Sequence, residues 1–313
     1  MVTAAGQKTA FLLLRISGLP VLIRELVQRR RVTILVYHKL SPEVAEGHFA
    51  LLKEHYNIIS LADYLDYRTN AHKQLPAKPL VVTLDDGHAG NYLLKPIFEK
   101  YKIPATIFLC SGLADTNRHF WFEAKMTNSV RQGLKRVRDE ERLKLLAGMG
   151  FTETSEYSDR QALSASEIEE MRSVVDFQSH TVHHPLLPQC SDQRAFDEIA
   201  GSKIQLENKF GLRINALAYP NGDYSAREVA AAENSGYQCA LTLDLGFNCR
   251  TTPAFQLKRI CVSDDAGLDQ LLVRASGLWD FLKNLVRRKS ARPTALTGSV
   301  DAQYHRPDLT SIS

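Results

Sequence analysis

Two short stretches of this 313-residue chain hold side chains whose types and spacing suit hydrolysis. The first is Thr83-Leu84-Asp85-Asp86-Gly87, where an apolar run ends in two adjacent carboxylates and a glycine. Like charges side by side raise one pKa unless a cation separates their roles. The competing reading is a helix N-cap with one spare acid. The second is Ser179-His180-Thr181-Val182-His183-His184-Pro185, which sets three histidines within five residues after another apolar run. A lone histidine is more often a satisfied core residue, but a cluster at a strand end seldom is. Imidazole nitrogen with carboxylate oxygen suits Zn²⁺, and Co²⁺, Ni²⁺ or Mn²⁺ by the same ligand chemistry. Two histidines and one carboxylate leave coordination open for water, as a hydrolytic site requires.

These groups need a scaffold that brings strand ends together. Between residues 32 and 265 short apolar strands alternate with amphipathic helices. The strands are expected at Val32–Tyr37, Leu80–Leu84, Ala105–Cys110, Val174–Gln178, Ala216–Tyr219, Gln238–Thr242 and Leu257–Val262. Near-continuous apolar runs of this length predict parallel strands covered on both faces. Phe196, Ile199, Leu206 and Phe210, with Lys203 on the same line, form a helical stripe that exits at Gly211. Ser225 and Glu228 form a capping box for the next helix, with Gly236 after its last turn. Repeated βα units of this kind predict an α/β fold, a distorted (β/α) barrel, closed or incomplete, of about seven parallel strands. Both carboxylates then fall at the C-terminal face, where barrel active sites are built. Residues 113–164 read as an insertion in one βα connection, with a charged helix over Val130–Ala147.

With both motifs in order, the chain resembles the polysaccharide deacetylase family with the NodB homology domain (carbohydrate esterase family 4). The family's T-F-D-D-G appears as Thr83–Gly87, and its H-(S/T)-x-x-H followed by Pro appears as His180–His184 and Pro185. The resemblance spans roughly residues 32–262. It implies that Asp85 is the catalytic base and that Asp86, His180 and His184 hold a divalent metal, with His183 on a non-ligand position. Three family features depart. Ala218 stands where the third motif carries an Arg that orients the base, in Leu217-Ala218-Tyr219-Pro220-Asn221-Gly222. Asp244 lacks the Trp of the fourth motif. Leu257-Lys258-Arg259-Ile260-Cys261-Val262 stands where L-x-H should supply a general acid. The A-Y-P-x-G form, with Tyr37-His38 after the first strand, is similar to the subgroup of bacterial poly-N-acetylglucosamine deacetylases.

The resemblance implies hydrolysis of an N-acetyl group on an amino sugar of a glycan, either a polysaccharide or a lipid-linked saccharide. Tyr219, Pro220 and Asn221 would line the substrate, a backbone N–H around Asn221 meeting the oxyanion. With L-x-H missing, His38 is the expected general acid, with His183 and His88 as rivals. Two alternatives stand: a related amidohydrolase or deformylase acting on a small or lipid-linked amide, and a catalytically inactive glycan-binding barrel.

Composition narrows the remaining classes. Hydrophobic residues at 44% and charged residues at 24% exclude a disordered or polytopic membrane chain. A net charge of +4, without any RNP, zinc-finger or P-loop pattern, gives no case for a nucleic-acid partner. Five cysteines without a CxxC suit a reducing compartment. Residues 1–31 hold an apolar run, Phe11–Ile23, ahead of Arg29-Arg30-Arg31; it is too short to span a bilayer and a poor signal peptide. It is expected either to pack on the barrel or to lie against anionic lipid. Residues 266–313 are expected to form a basic amphipathic helix, Leu278–Lys289, and a flexible tail from Ser290. The expected location is cytoplasmic or peripheral on the inner membrane.

Overall fold

The computed structural model describes residues 4–283. Two helices come first, α1 (Ala4–Ile16) and α2 (Leu19–Leu26). They part at Gly18, whose φ of +74° only glycine adopts freely, with Pro20 in the first turn of α2. The sheet then begins: β1 (Thr33–Tyr37), α3 (Pro42–His55), β2 (Asn57–Ile58), α4 (Leu61–Thr69), β3 (Pro79–Leu84), α5 (Lys95–Tyr101) and β4 (Ala105–Leu109). A long excursion carries α6 (Asn128–Leu134), α7 (Asp139–Gly148) and α8 (Ala165–Met171) before β5 (Val175–Ser179). The chain continues with α9 (Asp192–Phe210), β6 (Ala216–Ala218), α10 (Ala226–Asn234), β7 (Cys239–Leu241), β8 (Ile260–Cys261) and α11 (Leu268–Ala275).

Seven parallel strands curl in the order β7-β6-β5-β4-β3-β1-β8, and the two-residue β2 adds an eighth beside β3. This is the expected distorted α/β barrel. Every residue of β1, β3 and β4 is buried, as strands covered on both faces require. The two ends of the sheet approach through residues 254–259. Leu257 donates to the Ala240 carbonyl and accepts from the Thr242 amide before the chain passes to β8 on β1.

Four details differ from expectation. The strand foreseen at Leu257–Val262 shrinks to Ile260–Cys261, because its first residues are spent beside β7. The helix foreseen over Val130–Ala147 is two, α6 and α7, broken where Arg138 takes an extended conformation (φ −60°, ψ 152°). Phe196 lies on the solvent side of α9 (44% exposed), the buried line being Ala195, Ile199, Ser202, Leu206 and Phe210. The strand β2 was not foreseen; two residues are too few to show a period. The capping box on Ser225 and the left-handed exit at Gly211 are both present. Of the expected basic helix only the part to Lys283 falls within the described residues, and the tail from Ser290 lies outside them.

Candidate active site

Strands β3 and β5, which flank β4, deliver the two motifs to the same C-terminal edge of the sheet. Beyond Leu84 the backbone turns sharply: Asp86 and Gly87 both have φ of +71°. Beyond Ser179, Thr181 (φ +68°) and His184 (φ +57°) do the same, as does Asn221 (φ +57°) after β6. A left-handed non-glycine residue costs on the order of 1–3 kcal/mol, so four of them around one spot mark a place where geometry outranks local stability.

These turns bring three ligand atoms together. Asp86 Oδ1 lies 3.4 Å from Nε2 of His180 and 3.4 Å from Nε2 of His184, and the set fits within 4.8 Å. Asp86 Oδ1 is buried and has no hydrogen-bond partner among the described residues. A buried, unpaired carboxylate oxygen facing two imidazole nitrogens is what a divalent cation would satisfy, so the residues fit a metal. The neighbours orient the set. His180 donates through Nδ1 to the Ala218 carbonyl at 2.8 Å, leaving Nε2 free to ligate. His88 Nε2 lies 3.1 Å from the other Asp86 oxygen. Trp121 Nε1 donates to the His184 carbonyl at 2.9 Å, and Phe122 packs on the His184 ring.

Asp85 sits beside this set, 3% exposed, and meets a residue the sequence reading assigned no role. Arg259, fully buried just ahead of β8, grips both Asp85 oxygens at 2.7 and 2.8 Å and donates through Nε to the Thr242 carbonyl. The grip on Asp85 that Ala218 cannot supply thus comes from across the barrel. Its sequence signal was a lone arginine inside an apolar strand, which folding tolerates only when paired. Burial alone would raise the Asp85 pKa, but Arg259 and then His180 outweigh it and hold it below the usual carboxylate range. Burial pushes the His184 pKa down to about 3, leaving its imidazole neutral and available as a ligand.

The remaining candidates divide. His38, half-buried just past β1, has its amide fixed by Asp264 and its carbonyl by Asn91. Its rivals are engaged elsewhere: His88 on Asp86, and His183 on Glu198 at 3.0 Å. Glu198 also accepts the amides of Val182 and His183, tying the histidine loop to α9. Tyr219 is fully buried, with its hydroxyl on the Phe255 carbonyl and its ring stacked on Tyr224. Pro220 is buried, and Asn221 is bridged by its side chain to Lys135 of the α6–α7 turn and to Asp223. Gly222 must be glycine: a Cβ there would stand 2.5 Å from Leu243 Cβ.

A curled parallel sheet with a buried carboxylate pair and two histidines at its C-terminal edge defines a barrel hydrolase site. The family model for polysaccharide deacetylase matches residues 72–240, more than half of the chain. The chain belongs to that family, whose members are hydrolases acting on the C–N amide bonds of acetylated sugars. The protein YxkH of Bacillus subtilis (strain 168), provisionally named a polysaccharide deacetylase, is 24% identical over 242 residues, 74% of this chain and 72% of that protein. Among solved structures, the deacetylase PplD of Streptococcus pyogenes superposes with a TM-score of 0.59 at 22% identity, over 78% of this chain and 98% of that one. IcaB from Ammonifex degensii gives a TM-score of 0.58 at 18% identity, over 79% and 97%. These likenesses to solved structures establish the fold.

Proposed function

We propose that this chain is a metal-dependent deacetylase that hydrolyses N-acetyl groups on amino sugars of a glycan, with residues 32–265 as its catalytic unit. The observation that carries the reading is the convergence of Asp86, His180 and His184 on one unsatisfied carboxylate oxygen, beside an Asp85 clamped by Arg259. The donor set suits Zn²⁺, and Co²⁺, Ni²⁺ or Mn²⁺ by the same chemistry. A divalent cation held there would polarise the amide carbonyl and acidify the attacking water. Asp85 takes the proton from that water as its oxygen bonds to the carbonyl carbon. The loop at Asn221 offers a backbone N–H to the developing oxyanion. The C–N bond then breaks, acetate leaves, and His38 delivers a proton to the departing amine, since an amide anion is a very poor leaving group. The reading of the chain as an inactive glycan-binding barrel rested on Ala218 and on the missing final histidine; the Arg259 grip on Asp85 answers the first.

The test is acetate release from N-acetylglucosamine oligomers by metal-loaded protein. His180→Ala and His184→Ala should lose both metal and turnover, and His183→Ala should keep the metal. Asp85→Asn should keep stoichiometric metal and lose a factor of roughly 10² to 10⁴ in rate. His38→Ala should slow amide hydrolysis far more than hydrolysis of an acetate ester with a good leaving group. An unchanged amide-to-ester ratio would remove His38 from the step.

A further inference from the structure

Exposed apolar surface on this molecule is concentrated in one place. Of the sixteen large apolar residues exposed among the described residues, eight fall between positions 12 and 27, in α1, α2 and their junction. Leu13 (58%), Ile16 (70%), Leu22 (54%) and Leu26 (75%) are the most open. Leu12 and Ile16 on α1, and Leu19, Leu22 and Leu26 on α2, recur at three- and four-residue spacing within their own helices, so each helix carries an exposed apolar line. The hairpin is not a loose end. Phe11 is buried against Val273 and Leu278 with its ring on Trp279, and Gln28 is buried, donating to Thr33 and to the Ala275 carbonyl. The apolar stripe is therefore presented outward by a fixed support.

Charge identifies what this face fits. The first 31 residues hold six basic side chains and one acidic one, although the whole chain is only +4, so the remainder is slightly acidic. Glu25, the one acid, is paired with Arg24 and Lys78, and Lys8 and Arg29–Arg31 are exposed. An exposed apolar stripe bordered by cations on a helix pair too short to span is the pattern of a segment lying in a lipid interface. No helix among the described residues is long and apolar enough to cross a membrane. We propose that the chain docks on the surface of an anionic bilayer through the α1–α2 hairpin, the leucine stripe entering the headgroup boundary and Arg29–Arg31 meeting lipid phosphates. Arg15 pairs with Asp269 at the start of α11, just beyond the loop whose Asp264 holds the His38 and Lys39 amides. The junction of the hairpin thus lies towards the carboxylate end of the sheet. Arg29–Arg31, just ahead of β1 and beside Lys78, lie at the opposite end, so the docked hairpin runs along the side of the barrel.

The experiment is co-sedimentation of the full chain with phosphatidylcholine vesicles, with and without phosphatidylglycerol, at low and high salt. It reads binding alone and stands apart from any deacetylase assay. The wild type should bind the anionic vesicles and be released by salt. Arg29→Glu, Arg30→Glu and Arg31→Glu together should weaken binding on the order of a hundredfold. Ile16→Gln, Leu22→Gln and Leu26→Gln together should abolish it, while leaving the melting temperature and the light-scattering mass unchanged. Equal binding by wild type and variants, or no binding by the wild type, would overturn the proposal. So would a dimeric wild type made monomeric by the glutamine variant, which would assign the face to a second copy of the chain.

Discussion

Arg259 and Asp85 are each only as stable as the other allows. Both are buried, and the guanidinium meets the carboxylate at two points. Removing one partner of a buried pair leaves the other charge uncompensated, so Arg259→Met should cost about 3–5 kcal/mol in urea unfolding, with a parallel loss of turnover. Arg259→Lys keeps the charge but not the two-point grip, and should recover part of the stability and little of the rate. A second prediction concerns the thiols. Hydroxyls of Thr251 and then Thr252, at 3.3 and 3.6 Å from the sulfur, bring the Cys249 pKa down to about 7. Burial moves the other four cysteines the opposite way, Cys261 to about 11. The thiolate is the reactive form, so one equivalent of iodoacetamide should label Cys249, about tenfold faster at pH 8 than at pH 6. Thr251→Val should move the midpoint upwards. Mass spectrometry of the labelled peptide reads both outcomes.

At the scale of elements, the excursion between β4 and β5 acts as a brace over the site. It places Trp121 on the His184 carbonyl, Phe122 on the His184 ring and Lys135 on Asn221. Trp121→Phe keeps the packing and loses the N–H, and should weaken metal affinity by roughly 10- to 100-fold as read by competition with a chelator. Lys135→Met should leave metal content and KM in place but lower kcat by up to about 10²-fold, because the Asn221 loop loses one of its two side-chain anchors. None of these bracing contacts was legible in the sequence. The two motifs were, because strand-end turns gather Asp85-Asp86 and His180-x-x-x-His184 locally, within a few residues each. The parallel barrel was legible for the same reason, since its strands are short apolar runs. Arg259 and Lys135 were not, since each reaches its partner across more than eighty positions of chain. Nothing in local spacing records which strand will lie beside which. The split between α6 and α7 and the loss of Phe196 from the buried line have another cause: both helices and stripes were drawn from periodicity, which does not see a single extended residue or the direction of a neighbour.

Over the whole molecule, the N-terminal hairpin divides into a face that holds the fold and a face that does not. Phe11, buried between α1 and α11, should cost about 3–5 kcal/mol when changed to Ala, while Leu13→Ala on the open side should stay within about 0.5 kcal/mol. Thermal unfolding of the two variants separates the faces.

The position of Arg259 also fixes a sequence of events during synthesis. Asp86, His180 and His184 leave the ribosome well before residue 259, and the strands that lead to them, β3 and β5, are joined through β4 without β8. A chain still being made can therefore gather Asp86, His180 and His184 while Asp85 has no guanidinium to hold it. Only the last strand, threading along β7 and then onto β1, delivers the arginine. The buried ion pair is completed as the barrel closes, so an unfinished chain would hold the proposed ligand set before Asp85 is clamped.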